Sequence, residues 1–360
     1  MNVRDRMMRT LRGDVVDKIP WFIYEHFLPR GQMERELRNN GLGILSLRPV
    51  AYEETPNVRV EQNPSDGHVV KTYHTPLGKV SARLLTGRGS SENRFEMDWM
   101  DIMPWTLEYL IKRDEDYEIV KFIIDDTVFH PYYDAFLDAQ HFLGEDGVVV
   151  GQLWRSPFQK LLVEFTGATR LFIDLFRHPD KVESLYRALY EKTMEQYAIA
   201  ASSPAEFVGS GDNVDGVLTN PKLFEKYCLP FYNVAGSLLH EKKKIYGTHM
   251  DGRLSCLAEL ISASDLDVIE SVSPPPMGDL SLLEARSRWG SKVIIANFPA
   301  TICLLGQEAI ERKMIEMLRQ AAPGRGFMLG ITENVKRDIF KDSLYQIGEV
   351  MEKAEYPLSE

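Results

Sequence analysis

From Gly147 onward, short and almost uninterrupted apolar runs alternate with longer stretches in which apolar residues recur every three or four positions. The runs are GVVVGQLW, EFVGSGD, KIYGTHMD, LDVIESV, KVIIANFP and FMLGITEN, and segments such as LSCLAELISAS, LSLLEARSRWG and QEAIERKMIEMLRQAA lie between them. A strand covered on both faces reads as continuously apolar, and a helix resting on a sheet carries one apolar stripe. The alternation, repeated roughly every 25 to 60 residues, therefore predicts parallel strands joined by helices. An earlier run, IPWFIYEHF from Ile19 to Phe27, reads as a strand introduced by Pro20. Between Asn57 and Leu85 the period changes to two, in NVRVEQ, HVVKTYHT and KVSARLL, with NPSDG and PLG at the breaks. That pattern predicts an antiparallel meander, an elaboration at 57–93 too small to fold alone. From Thr106 to about His141 the spacing predicts helix.

The fold expected is an α/β (β/α)8 barrel occupying 1–360 as a single domain. Its rival, a doubly wound open sheet, lacks support from any Gly-x-Gly-x-x-Gly turn or phosphate-binding Gly-rich loop followed by Lys and Ser or Thr. Hydrophobic residues at 44% and charged residues at 26% are ordinary globular values, and 3 cysteines (Cys228, Cys256, Cys303) without close spacing argue against a disulfide framework. They read as small buried hydrophobes. A formal charge of −11 repels polyanions, and Lys242–Lys244 is too short a basic run for a nucleic-acid footprint, so no nucleic-acid partner is expected. No apolar segment is long enough to cross a bilayer and the amphipathic start is unlike a signal peptide, which makes the cytoplasm the expected location.

In such a barrel, chemistry sits where the strands end. The residues there are Trp154; Asp212 and Asn213; His249 and Asp251; Glu270 and Ser271; Asn297; and Thr332, Glu333 and Asn334. His249 is the centre of the expected site, because imidazole can bind a metal, donate to a substrate or move a proton near neutral pH. Asp251, two residues on, shares its side if the chain is still extended, and Gly252 lets the chain turn. His249, Glu270 and Glu333 form a nitrogen-and-oxygen set suited to zinc or another divalent metal. Catalytic candidates are thus His249, Asp251, Asp212, Glu270 and Glu333. The pocket candidates are Trp21, Tyr24, Glu25, His26, Trp154, Asn213 and Asn297, with the aromatics as a wall for a planar ligand. The alternatives stay open at this point: a strand-end carboxylate can cap a helix, and the aromatics can be core.

The segments GQLWRSPFQ, GSGDN, LPFYNVAG, YGTHMDG, LLEARSRWG, IIANFP and GITENVKRD, with the opening MNVRDRMMRTLRGDVVDKIPW, resemble the uroporphyrinogen decarboxylase superfamily, which includes methylcobalamin-linked methyltransferases. The turn HTPLG is similar to one in the methyltransferase branch. The resemblance implies a barrel of this type with a β-hairpin elaboration near the N-terminus. Decarboxylases of the family carry Arg-Gln-Ala-Gly-Arg after the first strand; here the stretch is YEHFLPRG, with Glu25, His26 and only Arg30. The thiol methyltransferases hold zinc with His-x-Cys and a later Cys; here those positions are His249, Asp251 and the neighbourhood of Thr332 and Glu333. The resemblance so modified implies transfer of a methyl group between a small donor and a corrinoid supplied by a partner protein, with an oxygen-rich metal site. A metal-assisted decarboxylase or lyase of a small acid, using Arg30 or Arg155, and a non-catalytic binding barrel are the other readings.

Overall fold

In a computed structural model, described for residues 1–65, 67–85 and 105–357, the chain divides into two compact units. The first comprises Met1–Ala51, Pro131–Trp154 and Tyr197–Glu360, and the second Tyr52–His130 and Arg155–Gln196.

The first unit is a closed barrel of parallel strands. In chain order they are β1 (Trp21–Tyr24), β2 (Leu42–Pro49), β3 (Gly147–Leu153), β4 (Phe207–Ser210), β5 (Ile245–His249), β6 (Val268–Val272), β7 (Val293–Asn297) and β8 (Phe327–Ile331). Each pairs with its neighbours in sequence order, and β1 closes on β8 with Trp21 opposite Leu329 and Ile23 opposite Ile331. Side chains alternate across each strand. Phe22 and Tyr24, Leu45, Val148 and Val150, Phe207, Val268, Val293 and Ile295, and Met328 fill the interior. Met7, Met8 and Leu11, from the helix Val3–Leu11, join the same cluster. That helix is capped by Asn2, whose side chain accepts from the Asp5 amide at 2.7 Å. Met7 comes so near β2 that a Cβ on Gly43 would lie 2.6 Å from its sulfur, so a side chain there would oblige Met7 to shift.

The strand Leu42–Pro49 is absent from the apolar runs read in the sequence. Its inner residues Leu45 and Leu47 alternate with the outward Ser46 and Arg48, so it lacks the continuous apolar signature of its neighbours. The helical reading of Thr106 to His141 also needs correction. Trp105–Glu108 is a strand, Val128–Pro131 another, and the helices are Asp116–Asp126 and Asp134–Leu143.

The second unit carries the expected antiparallel meander as strands Arg59–Ser65, His68–Thr75 and Gly78–Leu85, extended by Trp105–Glu108. The remainder of the expected elaboration, 86–93, lies outside the described residues. Within this unit Asp174 is buried and accepts from Tyr117 Oη at 2.7 Å, while Arg170 bridges it to Asp114. Among the described residues no helix is long and apolar enough to cross a membrane.

Candidate active site

Three barrel strands bring three polar side chains into contact at their carboxyl ends. Tyr24 ends β1 on the inward register of Phe22, His249 ends β5, and Glu270 lies opposite it on β6. Tyr24 Oη donates to Glu270 Oε1 at 2.7 Å and lies 3.2 Å from His249 Nδ1. His249 Nδ1 is 2.5 Å from Glu270 Oε2. Burial alone would favour a neutral imidazole, but Glu270 and Asp251 outweigh it and raise the His249 pKa to about 10. The ring is therefore a cation at neutral pH. Burial, and then the Glu270 charge, push the Tyr24 phenol well above its usual range, so it remains a donor.

Beyond the strand end, Asp251 Oδ2 lies 3.6 Å from His249 Nε2 and accepts from Asn213 Nδ2 at 3.3 Å. Burial opposes its ionisation, yet the hydrogen bond and charge of His249 hold its pKa below the ordinary value. Asn213 reaches it from a left-handed backbone conformation, φ 51°. Gly252, expected to permit a turn, does more: a Cβ there would lie 2.5 Å from Asp215 Cβ. Glu333 joins from the end of β8. Burial and the nearby Asp251 raise its carboxyl to about 7, against hydrogen bonds from Asn297 and Ser273 and the charge of His249.

Beneath these groups Asn297 Oδ1 accepts from the Thr332 amide at 3.2 Å and from its hydroxyl at 2.9 Å, and Thr332 meets Ser271 at 2.6 Å. Ser271 adopts φ 66° where the register of β6 with β7 shifts. Ser273, unread in the sequence, completes the network by accepting from Asn297 Nδ2 at 3.3 Å. Only its position past a strand end could have drawn attention to it.

Other expected site residues lie elsewhere. Asp212 is fully buried on the outer side of the barrel, accepting from Tyr232 Oη at 2.6 Å and Thr248 Oγ1 at 3.3 Å. Tyr232 belongs to the helix Leu229–Glu241, so this carboxylate ties barrel to shell and does not line the mouth. Trp21 faces outward too, its ring 3.3 Å from where a Cβ on Gly348 would stand in the final helix, Arg337–Lys353. Glu25 accepts from Ser46 Oγ at 2.6 Å and Arg48 Nη2 at 2.8 Å, in an outer groove of about 320 Å³ shared with Arg30 and Arg38. The pair Glu25 and His26 thus splits: the His26 ring stacks on Tyr24 at 5.3 Å, and burial lowers its pKa. Trp154 is not core, being 55% exposed after β3. Cys228 and Cys303 are buried as expected, but Cys256 is exposed.

The metal reading meets a geometric obstacle. Among the described residues, no group of three or more His, Cys, Asp or Glu side chains is arranged to hold a metal ion. The set His249, Glu270 and Glu333 does not fit a divalent cation as arranged. The arginines required by the small-acid reading are also committed: Arg30 to Glu34 and Glu25, and Arg155 to Glu164.

A parallel eight-stranded barrel with a hydrogen-bonded histidine, tyrosine and carboxylate cluster at its carboxyl mouth has the architecture of a barrel enzyme. Residues 115–335 match the family model described as uroporphyrinogen decarboxylase (URO-D), and the chain belongs to that family. Among solved structures it is similar to a methyltransferase from Methanosarcina mazei, at 12% identity and a TM-score of 0.58, over 97% of this chain and 98% of that one. At such identity the likeness concerns the fold. A GH18 chitinase, ChiB, from Flavobacterium johnsoniae aligns over 63% of this chain and 81% of its own, at 12% identity and a TM-score of 0.34. No curated protein matches the sequence.

Proposed function

We propose that this chain moves a methyl group between a small methylated donor and a corrinoid carried by a separate protein, with His249 as the acid that protonates the donor's leaving atom. The observation that carries this reading is the His249 imidazolium between Glu270 and Asp251. Its Nδ1–H is committed to Glu270. Its Nε2–H makes only a long, 3.6 Å contact with Asp251, which a ligand atom entering the mouth can replace.

The corrinoid, when bound, supplies the centre that exchanges the methyl group. Trp154, Val217, Leu218, Leu304 and Leu305, on segments following β3, β4 and β7, are exposed apolar side chains that a partner bringing such a group can cover. In the demethylating direction, the bond between the methyl carbon and the donor's heteroatom breaks, and that heteroatom takes the Nε2 proton. Glu270 and Tyr24 hold the ring in place throughout. Asp251 and Glu333, at the open end of the cluster, can return a proton from water to Nε2, and the raised Glu333 carboxyl makes it a donor near neutral pH. This assignment replaces Lewis-acid polarisation with proton donation, because the site's donor set does not fit a metal.

The test is methylation of a purified corrinoid protein, followed by its absorbance, with a panel of methylated ethers, amines and thiols. One donor class should turn over, and His249→Ala should reduce the rate by about 100-fold or more, the usual worth of a positioned acid. Equal turnover by wild type and His249→Ala ends the reading.

A further inference from the structure

The charges gathered at the mouth do not balance, and that imbalance bears on what can bind there. Glu270 is matched by the His249 imidazolium, which it touches. Asp251 shares that cation only at 3.6 Å and otherwise relies on the Asn213 amide. Glu333 is hydrogen-bonded to the neutral Asn297 and Ser273, and the nearby Asp251 charge acts on it more strongly than that of His249. His249 is the cation to which the charges of Asp251 and Glu333 respond. Arg48 and Arg30 are turned to Glu25 in the outer groove, and Arg155 is paired with Glu164. A ligand carboxylate would therefore add a further negative charge beside two carboxyl groups that already repel, in a partly buried setting where such repulsion is poorly screened. An uncharged ligand meets no such opposition, and an ammonium group would relieve the existing one.

We infer that Asp251 and Glu333 are specificity-determining residues which restrict this site to methyl donors that are uncharged or carry an ammonium group, and exclude donors carrying a carboxylate. The inference rests on the methyl-transfer reading for the word donor, and on the side-chain arrangement alone for the charge rule. Asp251 is fixed for this task by Asn213 and by the close approach of Gly252 to Asp215. Glu333 is fixed by Asn297, itself held by Thr332.

The experiment compares three probes sharing one methyl ether and one ring: 4-methoxybenzylamine, 4-methoxybenzyl alcohol and 4-methoxybenzoate. Binding is measured on the full chain at about pH 8, above the raised Glu333 pKa, by calorimetry and by the His249 ring signals in NMR. The amine and the alcohol should bind at least about tenfold more tightly than the benzoate, and in Asp251→Asn/Glu333→Gln the ratio should fall below about threefold. If that variant does not fold, the wild-type amine-to-benzoate ratio should shrink as salt rises, because the discrimination is electrostatic. Benzoate binding as tightly as the alcohol overturns the inference. So does a ratio unmoved by the substitutions or by salt, or no binding by any of the three up to about 10 mM. Binding in the expected order with no methyl reaching a corrinoid protein removes the transfer reading and leaves the charge rule standing.

Discussion

His249 and Asp212 stand just inside and just beyond the ends of adjacent strands, yet they have opposite fates. On β5 the inward register carries His249 into contact with Tyr24 and Glu270. After β4 the outward register carries Asp212 beneath the helix Leu229–Glu241, where tyrosine and threonine hydroxyls satisfy it. The same division separates Tyr24 from its neighbour Glu25, which turns to Arg48 and Ser46. Residue type at a strand end does not decide between site and scaffold; the direction of the side chain does.

The sharpest way to break this comparison is to remove the outer carboxylate. Asp212→Ala leaves the buried Tyr232 hydroxyl without its acceptor and should lower stability by about 2–4 kcal/mol in urea unfolding, with His249 NMR signals unchanged in the folded protein. A loss below about 1 kcal/mol, or a moved His249 signal, would erase the distinction between the two sides.

Glu270→Gln acts on the inner side. It should bring the His249 pKa down from about 10 by at least about one unit, read by NMR titration. The folded pKa lies above the ordinary imidazole value of 6.5, so the native state holds an extra proton between the two. Its stabilisation is fully present below about 6.5 and is lost as pH rises toward 10. The variant should lose that slope.

Glu333 gives a smaller effect in a lower window. Its folded pKa of about 7 exceeds the ordinary carboxyl value of 4.5, so wild-type stability should fall as pH rises between them. Glu333→Gln should flatten this slope, a difference of about 1–2 kcal/mol after allowance for partial exposure. An unchanged slope would show that Glu333 ionises without hindrance. Smallest of all is Glu25→Gln, which weakens a half-exposed ion pair with Arg48 and should change stability by about 1 kcal/mol or less, leaving the His249 titration as in wild type.

Much of the barrel was legible because strands covered on both faces leave apolar runs that polar segments cannot mimic. Leu42–Pro49 escaped because its outer face carries Ser46 and Arg48, which serve Glu25 in the groove. Trp105–Glu108 escaped because an exposed edge of a meander has neither an apolar run nor a clear alternation. At the site, His249, Asp251, Glu270, Glu333 and Asn297 were legible as strand-end residues, and the structure brings them together. Trp21, Glu25 and Asp212 were picked by the same rule and lie on the other face, since a single sequence does not reveal register. Tyr24 was visible as an aromatic, but its phenol's role depends on the closure of β1 beside β8, which no local pattern announces.

That closure has a kinetic side. The bond from Tyr24 to Glu270 spans 246 residues, and β1 finds its second neighbour only when β8 is in place. Contacts of such separation form late, after a large loop entropy has been overcome. The Tyr24 side of the cluster is therefore among the last features to assemble. A barrel caught before its seam shuts would hold most of its strands and the His249–Glu270 pair without the Tyr24 phenol that braces it, so the Tyr24 contact reports the end of folding rather than its progress.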